Sequence, residues 1–316
     1  MKIYSTLGLQ RGGAPLSKPI GVHSFMGISI RHIAGLFLIA LTYIILLSLT
    51  GLFKQMPLIR TLYKRKKRSP LKEPLLRPAG ESLRQMITDI QTDFNLDVFA
   101  FVLLSFIIGF TIQIYSFPLG LIFGVYLIIA IVYTIKIKKR IELLRNYKLG
   151  YEGEIAVAQE INQLMHHGYY VYHDLPADGF NIDHIIIGPS GVYAVETKMH
   201  RKPVKKGSTF SSVDFDGNSL VFPDKRDKHF IQQARNQAKW LSAFLTKSVG
   251  KKVKVTPVLC LPGWYINYKV ALDGDILIIN PKMSLPLITK RPVVLDTQTI
   301  KQISFQIEQR CRTSEI

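Results

Sequence analysis

The sequence predicts an α-helical membrane region of three spans followed by a mixed α/β domain. Three observations predict it. Hydrophobic residues make up 47% of the 316, and the mean hydropathy is +0.17, yet 20% of residues are charged. Such figures coexist when a chain is segregated into apolar stretches and a polar remainder. The long uncharged runs fall in the first half. Residues 1–149 hold 20 Lys and Arg against 6 Asp and Glu, a balance of +14, whereas residues 150–316 hold 21 against 16, a balance of +5. Most of the net +19 therefore accompanies the apolar runs, which is the pattern of membrane topology rather than of a nucleic-acid-binding stripe. Disorder, collagen and coiled coil are excluded by the same composition. The two cysteines, Cys260 and Cys311, have no CxxC or Cys/His spacing. A disulfide-stapled secreted domain and a zinc ribbon are unsupported, and a reducing compartment is expected.

After an N-terminal tail, residues 1–32, the stretch 33–53 is 21 residues without a charge. As a helix it would be ~31 Å long, the thickness of a bilayer core. Residues 54–95 form a basic loop with ten Lys and Arg, including Lys64-Arg65-Lys66-Lys67-Arg68. A second uncharged region is divided by Pro118, which disfavours helix in the residue before it. It reads as a helical hairpin over 96–135, with spans Leu96–Tyr115 and Phe117–Ile135. Lys136, Lys138, Lys139 and Arg140 open a basic linker, 136–147. The basic flanks assign loop 54–95 and residues 136–316 to the cytoplasm and the N-terminus to the outside. The tail also carries Lys2, Arg11, Lys18 and Arg31, and no apolar segment follows directly on the N-terminus as a signal peptide would. The run 64–68 could bind nucleic acid, but its position between spans reads as a topology signal facing anionic lipid.

From about Gly150 the texture is that of a mixed α/β domain. Glu152–Met165 repeats apolar residues at helical spacing, and Tyr169–His173 reads as a short strand. Ile182–Ile187 and Val192–Lys198 are strands joined by the turn Gly188-Pro189-Ser190-Gly191. Val213–Phe222 alternates around Asp216-Gly217 as a second hairpin. Phe230–Leu245 is a helix, Val253–Leu261 and Ile276–Ile279 are strands, and Thr299–Arg310 is a closing helix capped by Asp296-Thr297.

The first hairpin carries the chemistry. With Pro189 and Ser190 at the turn centre, paired positions sum to 379, so Asp183 faces Glu196. Their Cβ atoms are then ~4.5–5.5 Å apart. Lys198, two residues beyond Glu196, points to the same sheet face. Two opposed carboxylates destabilise a sheet unless something compensates them. A divalent cation between them does so, and Mg²⁺ suits oxygen ligands. The alternative is that the three side chains decorate a solvated sheet face. Their strands, IDHIII and VYAVETK, are otherwise largely apolar, as a central hairpin is.

These residues sit in a longer pattern. Gly150-Tyr151-Glu152-Gly153-Glu154 opens a helix. Asn181-Ile182-Asp183-His184 leads to Gly188-Pro189-Ser190-Gly191-Val192-Tyr193 and then to Ala194-Val195-Glu196-Thr197-Lys198. Gln233-Ala234 and Val255–Pro262 follow in order. Over about residues 148–263 the chain resembles the NERD (nuclease-related) domain, a branch of the PD-(D/E)xK nuclease-like superfamily, with 264–316 as a C-terminal extension. It departs from the pattern at Met199-His200-Arg201-Lys202-Pro203. The resemblance implies a restriction-endonuclease-like fold with a central mixed sheet flanked by helices. It implies Asp183 and Glu196 as ligands of Mg²⁺, or of Mn²⁺ in its place, with the Thr197 carbonyl joining them. It implies Lys198 as the group that activates water and stabilises developing charge, Glu154 as the helical carboxylate and Gln233 as a polar helper. A helix-start acid favoured by the macrodipole remains the alternative for Glu154, and a surface helix residue the alternative for Gln233.

Other candidates are weaker. His166, His167, His173, His184 and His200 lack i,i+4 metal spacing and read as surface or sheet histidines, with His184 facing away from Asp183. Trp240 and Trp264 read as core or rim aromatics. Arg201, Lys202, Lys205 and Lys206 form a basic cluster that could grip phosphates or line a solvated loop. The expected protein is a membrane-tethered, Mg²⁺-dependent nuclease-like enzyme acting on DNA at the inner, cytoplasmic face of a prokaryotic membrane. The alternative is a non-catalytic module on the same fold that binds nucleic acid or a protein partner.

Overall fold

The structure is a computed structural model that describes residues 74–114, 119–203, 212–270 and 275–312. The expected first span, 33–53, and the basic run 64–68 lie outside the described residues.

Two long helices come first, α1 (Glu81–Ile114) and α2 (Leu119–Ile161). No proline or glycine interrupts residues 81–108, so the helix begins well before the expected Leu96 and takes in residues assigned to the basic loop. Its charged first turns are matched locally, with Arg84 bonded to Glu81. Helix α2 is 43 residues long. The expected third span, the basic linker and the first helix of the α/β domain are therefore one continuous element. Charged residues such as Lys136–Arg140 are good helix formers and give the helix no reason to stop.

The two helices run antiparallel. Ser105 and Tyr126 share a hydrogen bond, and the Phe101 and Tyr133 rings pack 5.0 Å apart. Asp97 takes Lys136 at 2.7 Å and Arg140 at 3.0 Å at the polar end of the apolar stretch. Three spans were expected; among the described residues one helix, Glu81–Ile108, is long and apolar enough to cross a membrane, with mean hydropathy 1.5 and none of its apolar window buried. In α2 only the 17 residues from Leu119 to Ile135 precede the first charge, at the short limit of a span.

A 3₁₀ segment, Asn162–His167, leads from α2 into the α/β domain. Strands β1 (Tyr170–Pro176), β2 (Asn181–Gly188) and β3 (Gly191–Thr197) form an antiparallel meander. β7 (Val255–Cys260) and β9 (Leu277–Ile279) add in parallel, giving a mixed five-stranded sheet in the order β1-β2-β3-β7-β9. A smaller sheet, β6-β5-β4-β8, contains β4 (Ser212–Phe215), β5 (Leu220–Val221), β6 (Arg226–Asp227) and β8 (Tyr265–Tyr268). Helices α3 (His229–Val249), α4 (Ser284–Thr289) and α5 (Thr297–Arg310) complete the domain. Asp296 caps α5, accepting the Thr299 amide at 2.8 Å.

Strand alternation divides the core into two layers. Ile185, Ile187, Val192 and Ala194 pack against Ala238, Leu241 and Leu245 of α3 and Ile303 and Ile307 of α5. Ile186, Tyr193 and Val195 pack on the other face against Val157 and Ile161 of α2. Trp264 is fully buried beneath the small sheet, while Trp240 lies half-buried at a rim, stacked on Phe244.

Candidate active site

The hairpin register is the one the turn arithmetic requires. Gly188 faces Gly191, Ile187 faces Val192 and His184 faces Val195, each pair summing to 379. The ladder ends there, one position short of Asp183 and Glu196. Asp183 Oδ2 instead accepts the Thr197 amide at 2.7 Å. On the other side, β1 and β2 pair at a sum of 357, and the missing partner there is Asp174. Asp174 has φ +52°, a left-handed value that Asp adopts more readily than most residues. The sheet is thus unzipped on both sides of Asp183, which opens its carboxyl to a cleft.

All six residues singled out from sequence line that cleft: Glu154, Asp183, Glu196, Thr197, Lys198 and Gln233. Its volume is about 590 Å³. Glu196 is 2% exposed and receives three donors. Lys198 Nζ lies 2.5 Å from Oε1, Gln233 donates to Oε1 at 2.7 Å, and Gln237 donates to Oε2 at 2.5 Å. Gln233 and Gln237 are one turn apart on α3, so one helix face aims both amides at one carboxylate. Glu154 enters from α2. Beside it, Gly153 lets the Met199 side chain lie against the helix backbone; a Cβ there would meet Met199 Cγ at 2.1 Å.

The electrostatics are those of an acid-rich cleft. Glu154 is pushed up to about 8 by burial, then by the nearby negative charges of Asp174 and Glu196. Asp183 is raised well above the carboxylate range by burial first and by Glu196 and Glu154 next. Lys198 is the cation that partly offsets them.

Residues 149–262 match the family model of the nuclease-related domain, NERD. No curated protein and no solved structure matches the chain. The matched segment runs from within α2 to just past β7 and contains all six cleft residues named above.

Three features of the domain escaped sequence reasoning. Gln237 holds Glu196 as closely as Gln233 does, and its i+4 spacing from Gln233 was the available signal. Asp174 is buried and bound by Arg77 and Ser82, which lie before and at the start of α1. Nothing local marks that pairing, because the partners are more than 90 residues apart. The third is a contact between two histidines: His173 and His184 are sheet histidines, as expected, on β1 and β2, but His184 is fully buried, His173 is half-buried, and they share a hydrogen bond of 2.9 Å. His173 Nε2 donates to Asn162 Oδ1 at 3.1 Å, so its Nδ1 accepts from His184 Nδ1–H, and His184 Nε2 accepts the Thr197 hydroxyl at 3.3 Å. Burial favours the neutral imidazole in both, pushing His173 down to about 4. His200 pairs with the exposed Asp224 at 2.9 Å. Arg201 and Lys202 lie at the domain surface, with Lys202 over the Trp264 ring; Lys205 and Lys206 lie outside the described residues.

A pH dependence follows from Glu154. Its folded value of about 8 exceeds its ordinary 4.5. Between those values the native state holds a proton the unfolded state has lost, so stability falls as pH rises through that window. Thermal melts in EDTA should show wild type losing more melting temperature between pH 5 and pH 8 than Glu154→Gln does. Parallel pH profiles for the two would reject the assignment.

Proposed function

We propose that the domain is a metal-dependent phosphodiesterase acting on nucleic acid, DNA in the first instance, and that the apolar helices anchor it at the inner face of a prokaryotic cytoplasmic membrane. The observation that carries this reading is the convergence of Glu154, Asp183, Glu196 and Lys198 in one cleft within the nuclease-related segment. Phosphodiester hydrolysis needs a Lewis acid, an activated water and stabilisation of developing negative charge.

The donor set fits a hard divalent cation. Asp183 and Glu196 are oxygen ligands whose mutual repulsion and burial leave the cleft short of positive charge. When bound, Mg²⁺ or Mn²⁺ would supply the Lewis acid. Asp183, Glu196 and the Thr197 carbonyl would hold it. Gln233 and Gln237 fix the Glu196 carboxylate, and Lys198 presents its ammonium where charge builds on the phosphoryl group. Glu154, protonated more readily than an ordinary Glu, is suited to hold and deliver a proton.

Membrane anchoring rests on the apolar surface of α1 and α2. Leu103 and Ile107 of α1 and Leu121, Ile128 and Val132 of α2 are all exposed. Exposed apolar side chains on that scale need a nonaqueous partner, and the basic residues from Lys136 to Arg140 mark the cytoplasmic end.

The non-catalytic module keeps one observation in its favour: Lys198 Nζ, 2.5 Å from Glu196 Oε1, gives that buried carboxylate a cationic partner from within the fold. The deciding experiment incubates the purified full chain with single- and double-stranded DNA and RNA under Mg²⁺, Mn²⁺ or EDTA. Divalent-dependent cleavage supports the enzyme. Retention of nucleic acid without cleavage in any cation would establish the module.

A further inference from the structure

A second cavity lies apart from the carboxylate cleft. It is a groove of about 920 Å³ on the other flank of α3, lined by Arg235, Lys239, Lys247, Lys252, Lys254 and Arg291. Among the described residues Asp275 is the one acidic lining residue, and it pairs with Arg235 at 2.9 Å. The groove therefore carries a formal +5, which equals the balance of residues 150–316 as a whole. The rest of that half of the chain is neutral by composition. Lys239, Lys247, Lys252 and Lys254 are exposed, with no ion pair among the described residues.

The layout has direction. Arg235, Lys239, Ser242 and Thr246 recur along one stripe of α3, while Gln233 and Gln237 form the stripe that holds Glu196. The core-facing residues Ile231, Ala234, Ala238, Leu241 and Leu245 separate the two. From Arg235 to Lys247 is 12 residues, ~18 Å of helix axis, or about five phosphates of one duplex strand. Lys252 and Lys254, leading into β7, and Arg291, following α4, supply further cations to the lining.

We propose that this groove binds the phosphodiester backbone of a nucleic acid, as a contact separate from the carboxylate cleft. The proposal rests on the nuclease reading above and names how substrate is held. A concave groove with cations set along a line matches a polyanionic strand, whereas the headgroup plane of a bilayer would match a flat or convex basic face. Unpaired lysines give up little when they neutralise phosphates, and the counterions they release drive binding.

The test is fluorescence anisotropy on the full chain in detergent, with labelled single-stranded and duplex oligonucleotides in EDTA. Salt is varied between about 50 and 200 mM. Wild type should bind with a steep salt dependence. K239E/K252E/K254E should bind at least tenfold more weakly, with the slope of log affinity against log salt reduced by about 2–3. Its melting temperature should not fall, since the three lysines are exposed. Asp183→Asn should bind as wild type does in EDTA while failing to cleave with Mg²⁺. Loss of binding in the triple variant with no cleavage by any form of the protein would keep the groove and remove the nuclease reading. Cleavage with unaltered affinity and slope in the triple variant would do the reverse, and absence of binding by wild type would overturn the groove. Calorimetry with soluble dihexanoylphosphatidylglycerol adds a last arm. Lipid binding that the triple variant loses, with oligonucleotide affinity unchanged, would reassign the groove to headgroups and overturn the proposal.

Discussion

Asp183→Asn and Glu196→Gln should each lower Mg²⁺-dependent cleavage by more than ~100-fold while leaving the fold intact. Loss of an outer-shell partner alone typically costs 10–100-fold in metal affinity or activity, so loss of a direct oxygen ligand should exceed that. The two variants part company in stability. Burial and the neighbouring carboxylates raise Asp183 well above the usual carboxylate range, so the neutral Asn resembles the form that these surroundings favour. Its amide oxygen can still accept the Thr197 amide. The metal-free melting temperature of Asp183→Asn should therefore equal or exceed that of wild type. Glu196 is bound by Lys198, Gln233 and Gln237, and Gln cannot accept from all three equally well. Glu196→Gln should lose stability, with the Lys198 ammonium left half-buried beside a neutral partner. Cleavage assays and melts on the same preparations check both halves.

Arg77→Ala should cost about 3–5 kcal/mol, because it removes one partner of a buried ion pair and leaves the other charged. Asp174 is 2% exposed and accepts from Arg77 Nε at 2.9 Å, from the Ser82 amide at 3.0 Å and from Asn181 at 3.2 Å. Arg77 Nη2 makes the shortest of these contacts. In a unit of this size the cost corresponds to a fall of roughly 6–20 °C in melting temperature. Arg77→Ala with Asp174→Asn should recover part of the loss, since no unpaired charge remains. A double variant no better than the single would show that packing of the arginine stem, rather than the charge, is what Arg77 contributes at the edge of the cleft.

The α/β domain was largely legible because its signals are local. The Gly188–Gly191 turn fixes the pairing sum of 379, and alternation then assigns Ile185, Ile187, Val192 and Ala194 to one layer and Ile186, Tyr193 and Val195 to the other. Caps did the same for α5 through Asp296. What sequence could not supply were partnerships made across the fold. Asp174 carried no signal of its own, because its partners Arg77 and Ser82 lie more than 90 residues away. His173 and His184 were legible as sheet histidines, but their hydrogen bond depends on the pairing of two strands that sequence did not align. Helix boundaries failed for a different reason. Hydropathy ends a span at its first charge, whereas the backbone continues through Lys136–Arg140 because nothing there breaks a helix. The expected linker is consequently part of α2, which reaches the carboxylate cleft at Glu154. The short strands β6 and β8 and helix α4 carry too few residues to show a period of their own.

Metal titration calorimetry on the full chain tests most directly whether Asp183 and Glu196 share a cation. Wild type should bind Mg²⁺ at a single site, with melting temperature rising as the cation saturates. Lys198→Ala should keep most of that affinity, because an ammonium cannot ligate Mg²⁺. Asp183→Asn should lose it. Identical heats and identical melting shifts for wild type and Asp183→Asn at saturating Mg²⁺ would contradict the shared site.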